Sequence, residues 1–466
     1  MIRQGLAYVT VAGLMALALR HWYWSLCGLI LLTVLQQHPD MPGPIGGIAG
    51  LNLWNALFAA VCVGWWMNRA DAARAAPAPR WLVALVFAYG AMIVVTSLMA
   101  LPAVGGAGAG SHRLSYEKLL QDGLINPLKY LVVGILVFQG ARTRDRTRWA
   151  LITAVGSCLC YGLFMFKSMG ARVLTMDYRD ARRLTDKLIG LHANDMAEVL
   201  AFGLVAGAVL LFLLPRGWQR LAWLGAWLAN VPAFVALKSR AGFAAIGACL
   251  LVLGLLRYRV LLVLLPILVA AVVALDPSVQ ERVLTGVGRA REENDWEAIS
   301  AGRVTMLWPA TLDQIWKSPL VGHGRYGILH TPAYDGIVAR GMPEHEIPEH
   351  PHSAYLEILL DAGAIGLAIC VALAAAILRC GYSLLRVVDD PLARAVGVVA
   401  VAGLVLELAA GLTGSSFFMK QSAVPFVCAW GAAFRVYAEQ RAYAHCPAFG
   451  PLPRSRLSLF TSAGQG

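Results

Sequence analysis

The feature that most constrains this chain is its series of unbroken apolar runs, each long enough to cross a bilayer, separated by short polar segments. A hydrocarbon layer about 30 Å thick takes roughly 20 helical residues. Inside it every backbone N–H and C=O must find a partner within the protein, which leaves helices or a closed barrel. The runs do not alternate polar with apolar residues as barrel strands do. The expectation is therefore an all-α polytopic membrane protein, and a composition of 58% hydrophobic and 14% charged residues agrees.

Runs at 5–36, 46–67, 81–101, 123–141, 149–166, 194–215, 218–237, 242–257, 258–275, 353–379, 393–413 and 422–438 predict about twelve transmembrane helices. They divide the chain into membrane helices over 1–275, a large polar loop at 276–352, further membrane helices over 353–438 and a tail at 439–466. The first run is too long for one straight span and contains Arg20 and His21, which predicts a hairpin or a kinked, tilted helix. It begins like a leader peptide, but no small-residue cleavage site precedes a polar domain, so it reads as retained. The cysteines do not read as a disulfide framework: Cys27, Cys62, Cys158, Cys160, Cys249, Cys370 and Cys428 all fall inside apolar runs and read as small packing residues.

Short loops rich in Lys and Arg stay cytoplasmic. With twelve spans, the basic loops carrying Arg69, Arg74 and Arg80, Arg142, Arg144, Arg146 and Arg148, Arg216 and Arg220, Arg257 and Arg259, and Arg386 and Arg394 fall on one face. Both termini and the tail then lie in the cytoplasm, and 276–352 falls outside. That loop holds eleven acids against seven Lys or Arg, in a chain of net charge +12. The basic excess thus belongs to the opposite face, where anionic membrane lipids attract it, and it gives no argument for nucleic acid. One outer segment breaks the sign rule: Arg172, Arg179, Arg182, Arg183 and Lys187 suit either an anionic partner or a solvated helix surface balanced by Asp177, Asp180 and Asp186.

The loop holds His323, His330, His345, His350 and His352, five of the ten histidines. Its stretch from Arg303 to Pro319 predicts a helix with Val304, Trp308, Leu312 and Ile315 at helical spacing, kinked by Pro309 and stopped by Pro319. Trp308 and Trp316 suit a membrane interface. Arg303, at its beginning, is the functional candidate. His350 and His352 stand just before an apolar run, with Ser353 as a possible N-cap and Glu357 one turn in. Near-neutral titration suits such a histidine to general-base work, while a capping or exposed histidine is the plain alternative. Lys238, Ser239 and Arg240 join two runs by an outer turn. A guanidinium there matches phosphate oxygens or reaches up to headgroups. The His-Pro-His spacing fits poorly with zinc ligation, and no metal site is read.

The ordered set SRAGFAAI, GRVTMLWPATLDQIWKSPLVGHGRYG and HPHSAYLEILLDAGAIGL, around a large outer loop, resembles the O-antigen ligase and polymerase family of multispan membrane glycosyltransferases, over roughly 190–370. The resemblance implies a GT-C-like architecture and transfer of a glycan from undecaprenyl diphosphate to lipid A-core on the periplasmic side. It implies inversion at the anomeric carbon, without metal, cofactor or nucleotide sugar. Carried onto this sequence, the catalytic residues are His352 as general base and Arg240 and Arg303 as stabilisers of the diphosphate. Arg172, Arg179, Arg182, Arg183, Lys187, Lys238 and His350 are the expected substrate contacts. Ala241 stands where the family often has glycine, and Ser353 where it often has asparagine. An O-antigen polymerase and a protein O-oligosaccharyltransferase are the alternatives within the same chemistry. A lipid or glycolipid transporter is the alternative outside it.

Overall fold

The computed structural model describes residues 2–36, 38, 41–47, 50–69, 76–104, 114–170, 172, 178–214, 217–263, 302–414 and 416–445. Most of the expected run at 258–275, the loop up to residue 301 and the tail beyond 445 lie outside the described residues. Among those described there is no strand. The helices are α1 (Ile2–Leu32), α2 (Leu53–Met67), α3 (Arg80–Ala100), α4 (Asn126–Gly140), α5 (Arg144–Met169), α6 (Tyr178–Ile189) and α7 (Ala193–Leu211). They continue as α8 (Trp218–Ala236), α9 (Arg240–Leu256), α10 (Trp308–Ile315), α11 (Ala333–Ala339), α12 (Ala354–Leu385), α13 (Pro391–Ala410) and α14 (Val424–His445).

Seven of the described helical stretches are long and apolar enough to cross a membrane, and α2 and α9 are shorter apolar helices. Every predicted run except 258–275 coincides with a described helix. In α1 the kink is the form taken: the backbone leaves helical values at His21 (φ −135°, ψ 55°). At the other end of the chain, α14 runs past residue 438 to His445, so the start of the expected tail is helical.

Two ends of the bundle are chemically distinct. Arg144 makes a forked ion pair with Asp390 at 2.6 and 2.7 Å, which brings the basic loops before α5 and before α13 to one end. Arg435 donates to Ala76 O at 3.1 Å and adds the loop before α3. At the opposite end sit the α8–α9 turn, the segment 302–352 and the turn after α13.

Segment 302–352 contributes Leu307, Ala310, Ile315, Ile328 and Ile337 to a small core shared with Leu360 of α12. It departs from the expected helix. Arg303–Leu307 form a wider π-helical turn, and the regular helix starts only at Trp308, so Pro309 occupies a first-turn position and introduces no kink. The wider turn shifts the register. Leu307, Ala310, Thr311, Gln314 and Ile315 face inward, whereas Val304 and Leu312 are about 40% exposed. With Trp316 at 77% and Leu320 at 64% exposure, the outward side is an apolar face suited to a membrane interface.

This segment is fastened to α12 by an opened helical turn. Gly363 takes φ 65° and ψ −165°, a conformation open to glycine but strained for other residues. The freed backbone groups pair with the loop before α11: His323 N–H donates to Leu360 O at 2.8 Å, Gly324 N–H to Asp361 O at 2.9 Å, and Ala364 N–H to Pro319 O at 2.8 Å. The opened turn therefore leaves these groups satisfied, as a buried position requires.

Candidate functional site

Three elements converge at the end of the bundle that carries segment 302–352. The first is the α8–α9 turn. Lys238 adopts a left-handed φ of 44°, and Ser239 Oγ accepts from Gly242 N–H to cap α9, so Arg240 opens that helix and stands exposed. The second is the π-helical turn, whose Arg303 donates to Thr413 O at 3.0 Å in the turn after α13. Burial, and then the charge of Arg240, lower the Arg303 pKa, so the two guanidinium groups lie within electrostatic reach of each other.

The third element is the bend before α12. His352 has a left-handed φ of 51°, and its N–H donates to His350 Nδ1 at 3.3 Å, with the two rings edge to face at 4.8 Å. Trp308 Nε1 fixes the bend by donating to Pro351 O at 3.0 Å. Burial, followed by the charges of His350, Arg303, His192 and Lys420, pushes the His352 imidazole down to about 3. Arg303 is thus within electrostatic reach of both Arg240 and His352. Ser353 does occupy the cap position of α12, but its hydroxyl makes no capping bond.

The remaining histidines of the segment separate by their contacts. His323 Nε2 pairs with Gln314 O at 2.8 Å and His330 Nε2 with Arg325 O at 3.2 Å, so both brace backbone. His345 is 82% exposed beside Glu346.

Several charged residues join the site without having been singled out in the sequence. Lys420 lies 3.8 Å from Asp195 on α7. Burial opposes its charge, but Asp195 and Glu357 outweigh that and raise its pKa, so it remains an ammonium. His192 caps α7, its Nδ1 accepting from Asn194 N–H. Behind them Arg325, 4% exposed, donates through Nη1 to Glu357 Oε1 at 2.6 Å and Asp361 Oδ2 at 2.9 Å, with its guanidinium 3.8 Å above the Phe418 ring. Asp361 also accepts from the backbone of Tyr326 and Gly327. A signal for these residues does exist: Glu198, Asp361 and Glu407 are acids inside apolar runs, and an ionisable group there needs a partner. Their partners are distant in sequence and show only in the fold.

The basic cluster is partly drawn into the site. Arg182 on α6 reaches Asn194 Oδ1 at 3.4 Å, and Asn194 also accepts from Ser239 Oγ at 3.4 Å. Arg183 pairs with Asp180 at 3.7 Å in the manner of a solvated helix surface. Arg172 and Lys187 are exposed, and Arg179 lies on the first turn of α6. A narrow cleft lined by Asn194, Asp195, Ala241, Ala410 and Thr413 separates α7, α9 and the turn after α13. An apolar groove of about 250 Å³ runs between α3, α4, α12 and α14, lined by Leu82, Phe87, Leu131, Ile377, Met419 and Trp430. Met419 precedes Lys420 in the chain, while Ala78, Gln139 and Phe434 carry the groove towards the end marked by Arg435 and Ala76.

This arrangement holds cations and a neutral imidazole at one end of a membrane bundle, and so it can bind an anionic group there. Residues 225–371 match the family model described as O-Antigen ligase. That segment contains Arg240, Arg303, Arg325, His350, His352, Glu357 and Asp361, while His192, Asp195 and Lys420 lie outside it. No curated protein matches the chain. An all-helical membrane bundle whose convergent charged residues fall largely within that segment is the setting of the match, which spans residues 225–371 of the 466.

Proposed function

We propose that this protein is an O-antigen ligase of the bacterial inner membrane, with a GT-C-like architecture and its site facing the periplasm. The donor is a glycan on undecaprenyl diphosphate and the acceptor a sugar hydroxyl of lipid A-core. The observation that carries this reading is that Arg303 is acted on by Arg240 and itself acts on His352, with Lys420 as a further cation beside His352. Those cations suit the two negative charges of the diphosphate, and the apolar groove beside Met419 suits its isoprenoid tail.

The chemistry follows from the charges. The acceptor oxygen attacks the anomeric carbon, the bond from that carbon to the diphosphate oxygen breaks, and the electron pair leaves on the lipid diphosphate. Arg240 and Arg303 stabilise that growing charge at a site of low dielectric. His352 takes the hydroxyl proton, a contribution of about 10²–10⁴ in rate for a positioned base. The cations that depress His352 are the ones the diphosphate neutralises, so donor binding raises its basicity when the proton has to be taken. Attack from the face opposite the leaving group inverts the anomeric carbon. Arg182, Arg183 and Lys187, with Arg172, Arg179 and Lys238, suit phosphates of the acceptor's inner core or lipid A.

A transfer assay with the purified full chain tests this reading: labelled polyprenyl-diphosphate glycan is offered with lipid A-core, a second polyprenyl-linked glycan or a pilin-type peptide. Labelled lipid A-core is the expected product. Transfer to the second glycan or to the peptide identifies a polymerase or a protein O-oligosaccharyltransferase instead, and movement of unaltered donor across the bilayer identifies a transporter.

A further inference from the structure

Three cations meet one cleft, each through a residue of its wall. The cleft between α7, α9 and the turn after α13 has Asp195, Glu198, Ala241 and Thr413 in its lining, and its interior of about 10 Å³ holds no more than a water. Arg303 donates to Thr413 O at 3.0 Å, Arg240 precedes Ala241 at the start of α9, and Lys420 Nζ lies 3.8 Å from Asp195 Oδ2. An anion too large for the interior therefore meets these cations at the rim, where Arg240 is exposed and the Lys420 side chain is 35% exposed.

The Asp195–Lys420 pair is free to come apart. Its 3.8 Å separation exceeds the roughly 2.7–2.9 Å of a charge-assisted hydrogen bond, so the two charges face each other without being locked. Arg325, by contrast, grips Glu357 at 2.6 Å and Asp361 at 2.9 Å, and all three are buried. The backbone that carries Lys420 is fixed on both sides without help from Asp195. Phe418 lies under the Arg325 guanidinium, Tyr89 Oη donates to Phe417 O, and Gln421 Nε2 donates to Thr33 O at 2.8 Å and to Tyr161 Oη at 3.2 Å. Only the lysine side chain is left to move, and its ammonium is a point charge on a flexible stem. It can pass from one oxyanion to another with the backbone unchanged.

We propose that Asp195 is a displaceable counter-ion: it holds Lys420 in the free site and yields the ammonium to a phosphate oxygen when the lipid diphosphate reaches the rim. Lys420 then joins Arg240 and Arg303 around the diphosphate. Parting the pair opposes the binding of every anion, so a ligand with less charge to offer, such as a monoanionic phospholipid headgroup, is disfavoured relative to a diphosphate. Asp195 thereby contributes to donor specificity. The proposal deepens the ligase reading and rests on it.

The experiment measures binding of undecaprenyl diphosphate to the purified full chain in nanodiscs of zwitterionic lipid, with undecaprenol as the uncharged control. Wild type, Asp195→Asn, Lys420→Gln and the pair form a double-mutant cycle. Asp195→Asn keeps the shape of the side chain and removes its charge. It should bind the diphosphate roughly tenfold tighter, as follows when a competitor for the binding-competent state is taken away. Lys420→Gln should bind it roughly tenfold more weakly, and in that background Asp195→Asn should change affinity by less than about twofold. Undecaprenol should bind all four proteins alike. Unchanged or weaker diphosphate binding by Asp195→Asn overturns the proposal, and weaker binding from either substitution is what a merely structural pair gives. An equal gain from Asp195→Asn in both backgrounds overturns it too, because Asp195 then acts as a background charge and not through Lys420. If Lys420→Gln does not accumulate as folded protein, Lys420→Met, which keeps the apolar stem, takes its place in the cycle. A wild type that binds the diphosphate no better than undecaprenol defeats the donor reading itself. A wild type that binds it, beside an Asp195→Asn protein that gains nothing, defeats only the role given to Asp195.

Discussion

In the proposed mechanism His352 is a base set among cations, and its pH behaviour follows from that placement. Burial and the charges of His350, Arg303, His192 and Lys420 bring the free site's imidazole from its ordinary 6.5 to about 3. Because kcat/KM reports the free enzyme and kcat the bound complex, the acid limb of kcat/KM should lie well below pH 6.5. The limb of kcat should lie at higher pH, since a bound diphosphate offsets Arg303 and Lys420. Coincident limbs at or above 6.5 would remove His352 from the base role. Folding stability has the same sign: the unfolded chain binds this proton below about 6.5 and the folded chain does not, so this contribution declines as pH falls from there towards 3. Asp361 permits a second test. Asp361→Ala leaves Arg325 with one carboxylate and strips the Tyr326 and Gly327 N–H groups of their acceptor, a buried break worth about 3–5 kcal/mol. Thermal unfolding in detergent should show a large drop in midpoint, and an unchanged midpoint means that the triad does not hold this end of the bundle together. The sequence singles out Arg240 and His352 because each stands where a polar segment meets an apolar run, and Arg303 because it opens an expected helix inside the polar loop. Arg325 and Lys420 are not legible there, because what gives them meaning is a carboxylate tens or hundreds of residues away.

Elements were legible where hydrophobic run length alone decides them and less so where the backbone departs from a regular period. The kink of α1 is announced by Arg20 and His21. The inward face of α10 is not, because the π-helical turn at Arg303–Leu307 breaks the 3.6-residue spacing on which Val304 and Leu312 were assigned. The opened turn of α12 is hidden as well, since the apolar run continues through Gly363 without a change in composition. That glycine supports a prediction at this scale. Its φ of 65° and the closeness of Leu320 backbone leave no room for a side chain, so Gly363→Ala should cost about 1–3 kcal/mol in backbone strain alone. Displacing the 319–324 loop also shifts Arg325, so transfer activity should fall together with the melting temperature. A Gly363→Ala protein with wild-type melting and activity would show that the loop does not depend on this turn.

At the scale of the whole molecule, charge and chemistry are sorted to opposite ends. Arg144 and Asp390 mark one end, and Arg240, Arg303, His352 and Lys420 gather at the other. The proposed orientation rests on this sorting: cations in short loops resist translocation, which favours the Arg144 end in the cytoplasm and the site end across the membrane from it. Labelling with a membrane-impermeant maleimide tests this directly, because Cys27, Cys158, Cys249, Cys380 and Cys428 are buried and contribute little background. A cysteine introduced as Glu346→Cys, beside the exposed His345, should react in cells whose inner membrane is intact. One introduced as Asp389→Cys, in the exposed loop before α13, should react only after that membrane is breached. The reverse pattern would put the guanidinium groups and the imidazole on the cytoplasmic side, away from a lipid A-core acceptor already displayed on the outer leaflet. The ligase reading would then fall even if every distance within the site were unchanged.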